Sequence, residues 1–400
     1  MPFLPTDFAA RSCERMRIAM FTDTYTPQVN GVVTSIKAFK AELERQGHEV
    51  EVWAPTAIGA PAEPGIHRIR SFTFAPYPEY KISVPNPRVL YEFERFEADV
   101  VHVHSPISAG TLGIGLARRL SLPAVGTFHT VLPEYMHYLV KSRLQELFLK
   151  SAKRFAWDYC RWFYNLCDAV VAPSAATARL LRERGISEPI AVIPTGLRPS
   201  KPASRQAAKE FRLRHGFGGK LLLHVGRVTR EKNIEAIIDA VLELPDVTLA
   251  VASDGPHRRS LQAHAKRAGL GERVRFLGYL SQDELAAAYA AADLFVCASK
   301  SETQGIVLLE AAAAGLPIVA LDAPAVSDFI RENRAGRIAK EERFAQAIAA
   351  ALDDRQLRRR SRGRAKAIAK KYSIERCAHK LVRLYNKVAS AKASQERTAS

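Results

Sequence analysis

Two glutamates, Glu302 and Glu310, bracket the stretch "SETQGIVLLE". Between them lie a glycine and the start of an apolar helical run, with nothing acidic. A helix beginning near Gly305 presents the backbone N–H groups of Gly305, Ile306 and Val307, and its positive end, to an anion. Ionised carboxylates accept paired hydrogen bonds from vicinal hydroxyls. Carboxylates on either side of an amide cluster therefore suit hydroxyls on either side of a phosphate. The spacing places a sugar on Glu302, a ribose on Glu310 and phosphates between them, which fits a nucleotide-sugar better than a metal or a proton relay. The competing reading makes Glu302 a helix-dipole partner and Glu310 a solvated helix residue.

Two more stretches have anion-binding chemistry. In "HVGRVTREKNIEAI", Arg227 and Lys232 follow an apolar run. Arg forks onto phosphate oxygens and Lys supplies a point charge. In "TDTYTPQVNGVVTSI", Gly31 opens a helix, where its bare backbone allows close approach of a ligand. His102 and His104 alternate on one face of a strand. No third ligand accompanies them, so no metal site is expected, and they are read as lining the acceptor side of a cleft. Asp23, Tyr80 and Lys81 are assigned to the same side. No Asp-x-Asp stands at a strand end, so the cations and amides are expected to neutralise a phosphate without a metal.

These residues need strand ends to hold them. Buried-strand runs fall at 17–21, 50–55, 99–104, 123–129, 168–174 and 190–196, then at 220–226, 247–254, 273–278, 292–299 and 316–321. Helical patterns separate them, as in the stretch from Val32 to Arg45, closed by Gly47. Alternation of this kind predicts parallel α/β sheets covered on both faces. It breaks between Arg198 and Gly219, where "RPSKPASRQAAKEF" reads as a linker and a helix. The expected fold class is α/β, with two doubly wound, Rossmann-like domains. They are bounded at 16–198 and 199–373, with a disordered leader at 1–15, and face each other across a cleft. Ligands in such sheets bind at the carboxyl ends of the strands.

Composition limits the partners. Lys plus Arg is 59 against 41 for Asp plus Glu, a net charge of +18. That attracts nucleic acid, an anionic membrane or phosphorylated substrates. A nucleic-acid-binding protein is the reading from another class, but no motif of that kind occurs and the bases spread over both halves. No nucleic-acid partner is therefore expected. Five cysteines without a C-x-x-C are expected to be reduced thiols of a cytoplasmic protein. No apolar run reaches the ~18 residues of a membrane-spanning helix.

"MRIAMFTDTYTPQVNGVVTSI", "HVHSP", "GTFHT", "PTG", "GRVTREKN" and "SETQGIVLLEAAAAGLP" occur in an order that resembles the family 4 retaining glycosyltransferases of GT-B fold. The resemblance covers about residues 16–390. "FTDTYTPQVNGV" and "FHTVLPEYMHYL" are most similar to the branch that glycosylates diacylglycerol and related lipids. It implies an N-terminal acceptor domain, a C-terminal donor domain, and a helix over 374–390 crossing back to the first domain, with 391–400 as a tail. It also implies Gly31 facing the diphosphate, His129 near the transferred sugar, Arg227 and Lys232 on the diphosphate, Glu302 on the donor sugar and Glu310 on the ribose. Two departures stand out. Ala252-Ser253 precede Asp254 where the family usually has a glycine before its acidic residue, and Leu197-Arg198 replace the usual residues after "PTG".

The expected activity is transfer of a hexose, with retention, from a UDP- or GDP-hexose to a membrane lipid such as diacylglycerol. The alternative acceptor is a soluble sugar or polysaccharide. No cofactor is expected beyond the donor substrate. Two basic segments suit the inner face of a cytoplasmic membrane, where a peripheral location is expected. The first is 141–165, where Phe148, Phe155, Tyr159 and Trp162 form one helical stripe beside Arg143, Lys150, Arg154 and Arg161. Its competing reading is a core-packed helix. The second is the run from Arg355 to Lys371, with nine bases.

Overall fold

The computed structural model describes residues 15–57, 59, 62–73, 81–139, 146–198 and 202–399. Contacts divide the chain into two units. One runs to Gly196 and adds Ile374–Ser400; the other is Leu197–Ser373.

In the first unit the strands are β1 (Arg17–Phe21), β2 (Glu49–Pro55), β3 (Ile66–Ile69), β4 (Ser71–Thr73), β5 (Lys81–Ser83), β6 (Val100–Val103), β7 (Ala124–Thr127), β8 (Ala169–Ala172) and β9 (Ile190–Val192). Seven form a parallel sheet in the order β3-β2-β1-β6-β7-β8-β9, and β4 pairs antiparallel with β5. The second unit holds β10 (Lys220–Val225), β11 (Val247–Ala252), β12 (Val274–Gly278), β13 (Leu294–Cys297), β14 (Ile318–Leu321) and β15 (Gly336–Ala339). They form a parallel sheet in the order β12-β11-β10-β13-β14-β15. Both sheets are doubly wound. Strand order reverses at β1/β6 in one and at β10/β13 in the other, and the crevice beyond such a reversal is where ligands bind.

The central strands carry apolar residues on both faces, as sheets covered by helices on each side require. Ile18, Met20, Val50 and Val52 pack with Ile36, Leu43 and the helix Ile374–Ala399 through Cys377, Leu381 and Tyr385. Phe21, Trp53, Val101 and Val103 pack on the other face against Phe93, Ile114 and Phe163. Cys160, Cys167, Cys297 and Cys377 are buried free thiols, and burial pushes Cys160 and Cys297 up to about 12. No helix among the described residues is long and apolar enough to cross a membrane.

Several elements differ from the sequence expectation. Strands β3, β4, β5 and β15 were not expected. They are three or four residues long, sit at sheet edges or in a hairpin, and each includes polar or basic residues, so no apolar run marks them. The run at 190–196 contracts to Ile190–Val192 because Pro194 cannot donate to a ladder. Within 141–165, the described helix is Glu146–Tyr164, preceded by a 3₁₀ turn at Leu132–Leu139. Its core side is Ala156, Cys160, Phe163 and Tyr164. Of the proposed aromatic stripe, Phe155 and Trp162 are exposed and Tyr159 is half-buried, so that stripe is not core packing; the side chain of Phe148 lies outside the described set.

His67 on β3 joins three elements. Its Nε2 lies 2.7 Å from Glu51 Oε2 on β2, and its Nδ1 lies 3.2 Å from Glu92 Oε2 on the helix Pro87–Phe96. Two carboxylates facing both ring nitrogens call for both nitrogens to carry protons. Burial opposes the charged ring, but the two glutamates outweigh it and raise the His67 pKa above 6.5. The ion pairing therefore stabilises fully below pH ~6.5 and is lost as pH rises through the raised folded-state value. Comparing thermal unfolding of the native chain with a His67→Gln variant should show a gap that narrows from pH 6 toward pH 9. A gap that widens over that range contradicts the pairing.

Ser253 has φ 114, a conformation that favours glycine. It is held there by its N–H donating to Gly278 O at 2.7 Å and by Val228 N–H donating to Asp254 O at 3.0 Å. Ser253→Gly should therefore stabilise the second unit by about 1 kcal/mol, relief of strain exceeding the added unfolded-state entropy. Urea denaturation showing a loss of stability would contradict this.

Candidate active site

In the second unit, the loops after β10 and β13 meet at the reversal point. Beyond β10 come Gly226 and half-buried Arg227, then a 3₁₀ turn, Arg230–Lys232, that carries Lys232 back toward the sheet. Asn233 takes φ 50 and starts the helix Ile234–Leu242. Beyond β13 the chain runs through Ser299 and Glu302 to Gly305. The Lys232 ammonium hydrogen-bonds Glu302 Oε1, and their side chains keep only 23% and 13% of their exposure. Burial alone would raise the glutamate pKa and lower the lysine pKa. Each partner's charge reverses that, so Glu302 is lowered and Lys232 raised, and the pair stays ionised.

Gly305 caps the helix Ile306–Ala313 with φ 74, and a Cβ there would sit 2.8 Å from Leu308 Cδ1. No side chain caps this helix and no acid lies in its first turn. The N–H groups of Ile306 and Val307 thus sit at an uncapped helix start, where an anion is favoured. One turn on, Glu310 Oε2 accepts from Tyr289 O–H at 2.7 Å. Burial raises the Glu310 pKa, and the Tyr289 bond works against that rise. The second unit thus combines Lys232, Arg227, an uncapped helix start, and two glutamates. That set can neutralise a diphosphate and accept hydrogen bonds from hydroxyls.

The first unit gathers a different chemistry at the ends of β1, β6 and β7. His102 contacts Tyr385 Oη through Nδ1 and Thr127 Oγ1 through Nε2, both at 2.6 Å. His104 Nδ1 lies 3.0 Å from His129 Nε2. Burial depresses all three imidazoles, His102 to about 3, His129 to about 4 and His104 well below 6.5, so they are neutral. His104 Nε2 is buried without a partner among the described residues. Asp23 accepts from Ser105 Oγ at 2.5 Å, Ser108 Oγ at 2.6 Å and Ala109 N at 2.7 Å. Its carboxylate anchors the start of the helix Ser108–Arg119 and is already well supplied with donors. Asn30 caps the helix Gly31–Arg45 by accepting from Val33 N at 3.0 Å, which leaves exposed Gly31 at the first position. Lys81 sits on β5 and donates to Thr56 O at 2.6 Å. Tyr80 lies outside the described residues.

The structure brings together Lys232 with Glu302 and His104 with His129. Sequence reasoning missed Tyr289, a lone aromatic in the alanine-rich "LAAAYAAAD", and it missed the pairing of Lys232 with Glu302. It also missed His224 on β10, whose Nδ1 lies 3.1 Å from Val296 O and whose Nε2 is buried and unpartnered among the described residues.

Comparison with known proteins supplies the family context. A family model described as Glycosyltransferase Family 4 matches residues 29–201, and one described as Glycosyl transferases group 1 matches residues 206–368. An alpha-monoglucosyldiacylglycerol synthase of Streptococcus pneumoniae is 35% identical over 336 residues, covering 81% of this chain and 75% of that protein. A GDP-mannose-dependent alpha-mannosyltransferase of Mycobacterium tuberculosis is 31% identical over 355 residues, covering 85% and 89%. Among solved structures, a sucrose-phosphate synthase from Thermosynechococcus elongatus superposes with a TM-score of 0.75 at 21% identity, covering 94% of this chain and 100% of that one. Anabaena HepE in complex with UDP-glucose superposes with a TM-score of 0.68 at 19% identity, covering 95% and 100%.

Removing one member of a buried ion pair leaves an uncompensated charge, which costs more than removing both. Lys232→Met should therefore destabilise the chain by about 2 kcal/mol, and adding Glu302→Gln should recover most of that loss. Equal destabilisation by the single and double variants in denaturant titrations would contradict the pairing.

Proposed function

The chain belongs to the family 4 glycosyltransferases of GT-B fold and resembles its diacylglycerol glycosyltransferase branch, and from that premise we propose that it moves a hexose from a UDP- or GDP-hexose to a membrane lipid acceptor with retention at the anomeric carbon. The observation that carries this reading is the ionised Lys232–Glu302 pair beside the uncapped helix start at Gly305, with Glu310 one turn further on. In this reading the diphosphate takes Lys232 and Arg227 and lies against the N–H groups of Ile306 and Val307. Glu302, released by Lys232, accepts from hydroxyls of the donor sugar. Glu310, held by Tyr289 on one oxygen, accepts from the ribose with the other.

As the glycosidic bond to the phosphate breaks, negative charge grows on the leaving nucleoside diphosphate and positive charge on the sugar ring. Cations and amides fixed in place before the reaction stabilise that growing charge without reorganising. In the same reading the neutral His129 hydrogen-bonds the transferred sugar, the neutral His104 serves the acceptor, and Gly31 offers its N–H to the diphosphate. Asp23 acts here through the loop it anchors rather than by direct contact. The proposed acceptor side also includes Lys81 and Tyr80. A diacylglycerol-type acceptor is supported by the pneumococcal relative's name and by the exposed Phe155 and Trp162 on a helix that also carries exposed Arg154 and Arg161. The protein would then work at the inner face of the cytoplasmic membrane, drawn there by its +18 charge. A soluble acceptor is the competing outcome of the test.

The test incubates the chain with a panel of UDP- and GDP-hexoses, a membrane lipid extract and a chelator. Glycolipid should form from one donor class, unaffected by chelation. Lys232→Ala should lower turnover about 100-fold, as expected for loss of one pre-placed charge donor. Transfer only to water-soluble glycans would overturn the lipid acceptor, and chelator-sensitive transfer restored by magnesium would overturn the metal-independent mechanism.

A further inference from the structure

The helix Arg355–Lys371 in the second unit carries nine bases and no acid. Arg355, Arg359, Arg362, Lys366 and Lys370 follow at intervals of four, three, four and four residues. At 3.6 residues per turn they fall within ~80° of arc and run ~22 Å along the axis. All five are exposed. The buried residues of this helix, Leu357, Ser361 and Ile368, lie on the opposite side. The stripe is therefore straight and exposed along its length.

None of the five has an acidic partner among the described residues, although neighbouring bases are engaged. Lys371 pairs with Glu332 at 2.7 Å, and Arg358 donates to the Leu352 carbonyl. The adjacent acid, Asp354, is already used: it accepts from Leu357 N at 2.8 Å and from Arg337 at 2.8 Å. Like charges one turn apart repel, and Arg355 sits at the positive end of its own helix. Such a row, solvated and unpaired with any acid of the described residues, gains from anions outside the chain. The helix is also seated tightly: a Cβ on Gly315, just past the helix Ile306–Ala313, would lie 3.2 Å from Arg362 Cα. The stripe thus rides on a rigid element packed beside the donor-site helix.

We propose that these five cations form a docking surface for an anionic bilayer leaflet. A straight row on one exposed face suits a flat sheet of charged headgroups, where each Lys or Arg adds a similar increment of attraction. The neighbouring positions Gln356, Gly363 and Ala367 include no aromatic to stack on a base, which argues against single-stranded nucleic acid. The inference rests on the membrane-acceptor reading for its purpose, but not for its measurement.

The test measures sedimentation of the full chain with phosphatidylcholine vesicles containing about 30% phosphatidylglycerol, an anionic fraction chosen to give the charged surface the stripe requires. One variant carries Arg355→Gln, Arg359→Gln, Arg362→Gln, Lys366→Gln and Lys370→Gln. A control removes the same charge elsewhere in the unit, at Arg205, Lys209, Arg259, Lys266 and Arg267. The stripe variant should bind at least about 100-fold more weakly than the native chain, and the control no more than about 10-fold more weakly. Thermal unfolding and nucleotide binding should be unchanged in both. Equal loss in both variants overturns the stripe in favour of net charge. Stripe-dependent binding to an oligonucleotide that exceeds binding to vesicles overturns the bilayer in favour of nucleic acid. Stripe-dependent vesicle binding without any glycolipid synthesis supports this inference while removing the lipid acceptor. Glycolipid synthesis on vesicles that the stripe variant still binds normally removes this inference alone.

Discussion

An ammonium and a carboxylate taken out of water are tolerated only together, and Lys232 with Glu302 is the pair that joins the two central loops of the second unit. Lys232 arrives from the loop after β10 and Glu302 from the loop after β13, the two strands that flank the reversal of sheet order. Their attraction ties those loops together and keeps both groups charged against the pull of burial. It also holds two opposite charges in a mutually neutralised state. A ligand that supplies an anion to Lys232 and hydroxyls to Glu302 replaces each lost partner with a new one. A bare anion satisfies only the lysine and leaves a carboxylate stranded, so under the proposed reading the pair would favour a sugar diphosphate over simpler phosphates.

The first unit is arranged on the opposite electrostatic principle. Its strand-end histidines are kept neutral by burial, and the buried carboxylate beside them, Asp23, accepts from the hydroxyls of Ser105 and Ser108 and the amide of Ala109. Neutral donors and acceptors recognise hydroxyls without attracting phosphate. The long helix Ile374–Ala399 contributes here through Tyr385, which reaches His102 across 283 residues of sequence. The strand ends of one unit thus gather fixed charge and those of the other neutral imidazoles, a division that accords with the proposed transfer from an anionic leaving group to a hydroxyl.

Much of this was readable from the chain because strand ends announce themselves. The apolar runs 220–226 and 292–299 stop where polar loops begin, which put Arg227, Lys232 and Glu302 at one sheet edge before any coordinates. Gly305 was legible because an apolar helix without a polar cap needs a residue that tolerates φ 74. What could not be read was partnership at a distance. Nothing local says that Lys232 meets Glu302 70 residues later or that Tyr289 in an alanine run supports Glu310. Short edge strands such as Ile66–Ile69 and Gly336–Ala339 also escaped, because half-exposed four-residue strands interrupted by an arginine lack a periodic apolar signal. The stripe at Arg355–Lys370 was visible as composition and spacing, but only its burial pattern shows that the face shared by five of the nine bases points to solvent.

The most direct measurement is a high-resolution structure of the chain with its intact UDP- or GDP-hexose. The account predicts an opened pair, with Lys232 Nζ within hydrogen-bond distance of a phosphate oxygen and Glu302 accepting from sugar hydroxyls. A bound donor that leaves Lys232 and Glu302 joined to each other, with its diphosphate away from the helix start at Gly305, would contradict it.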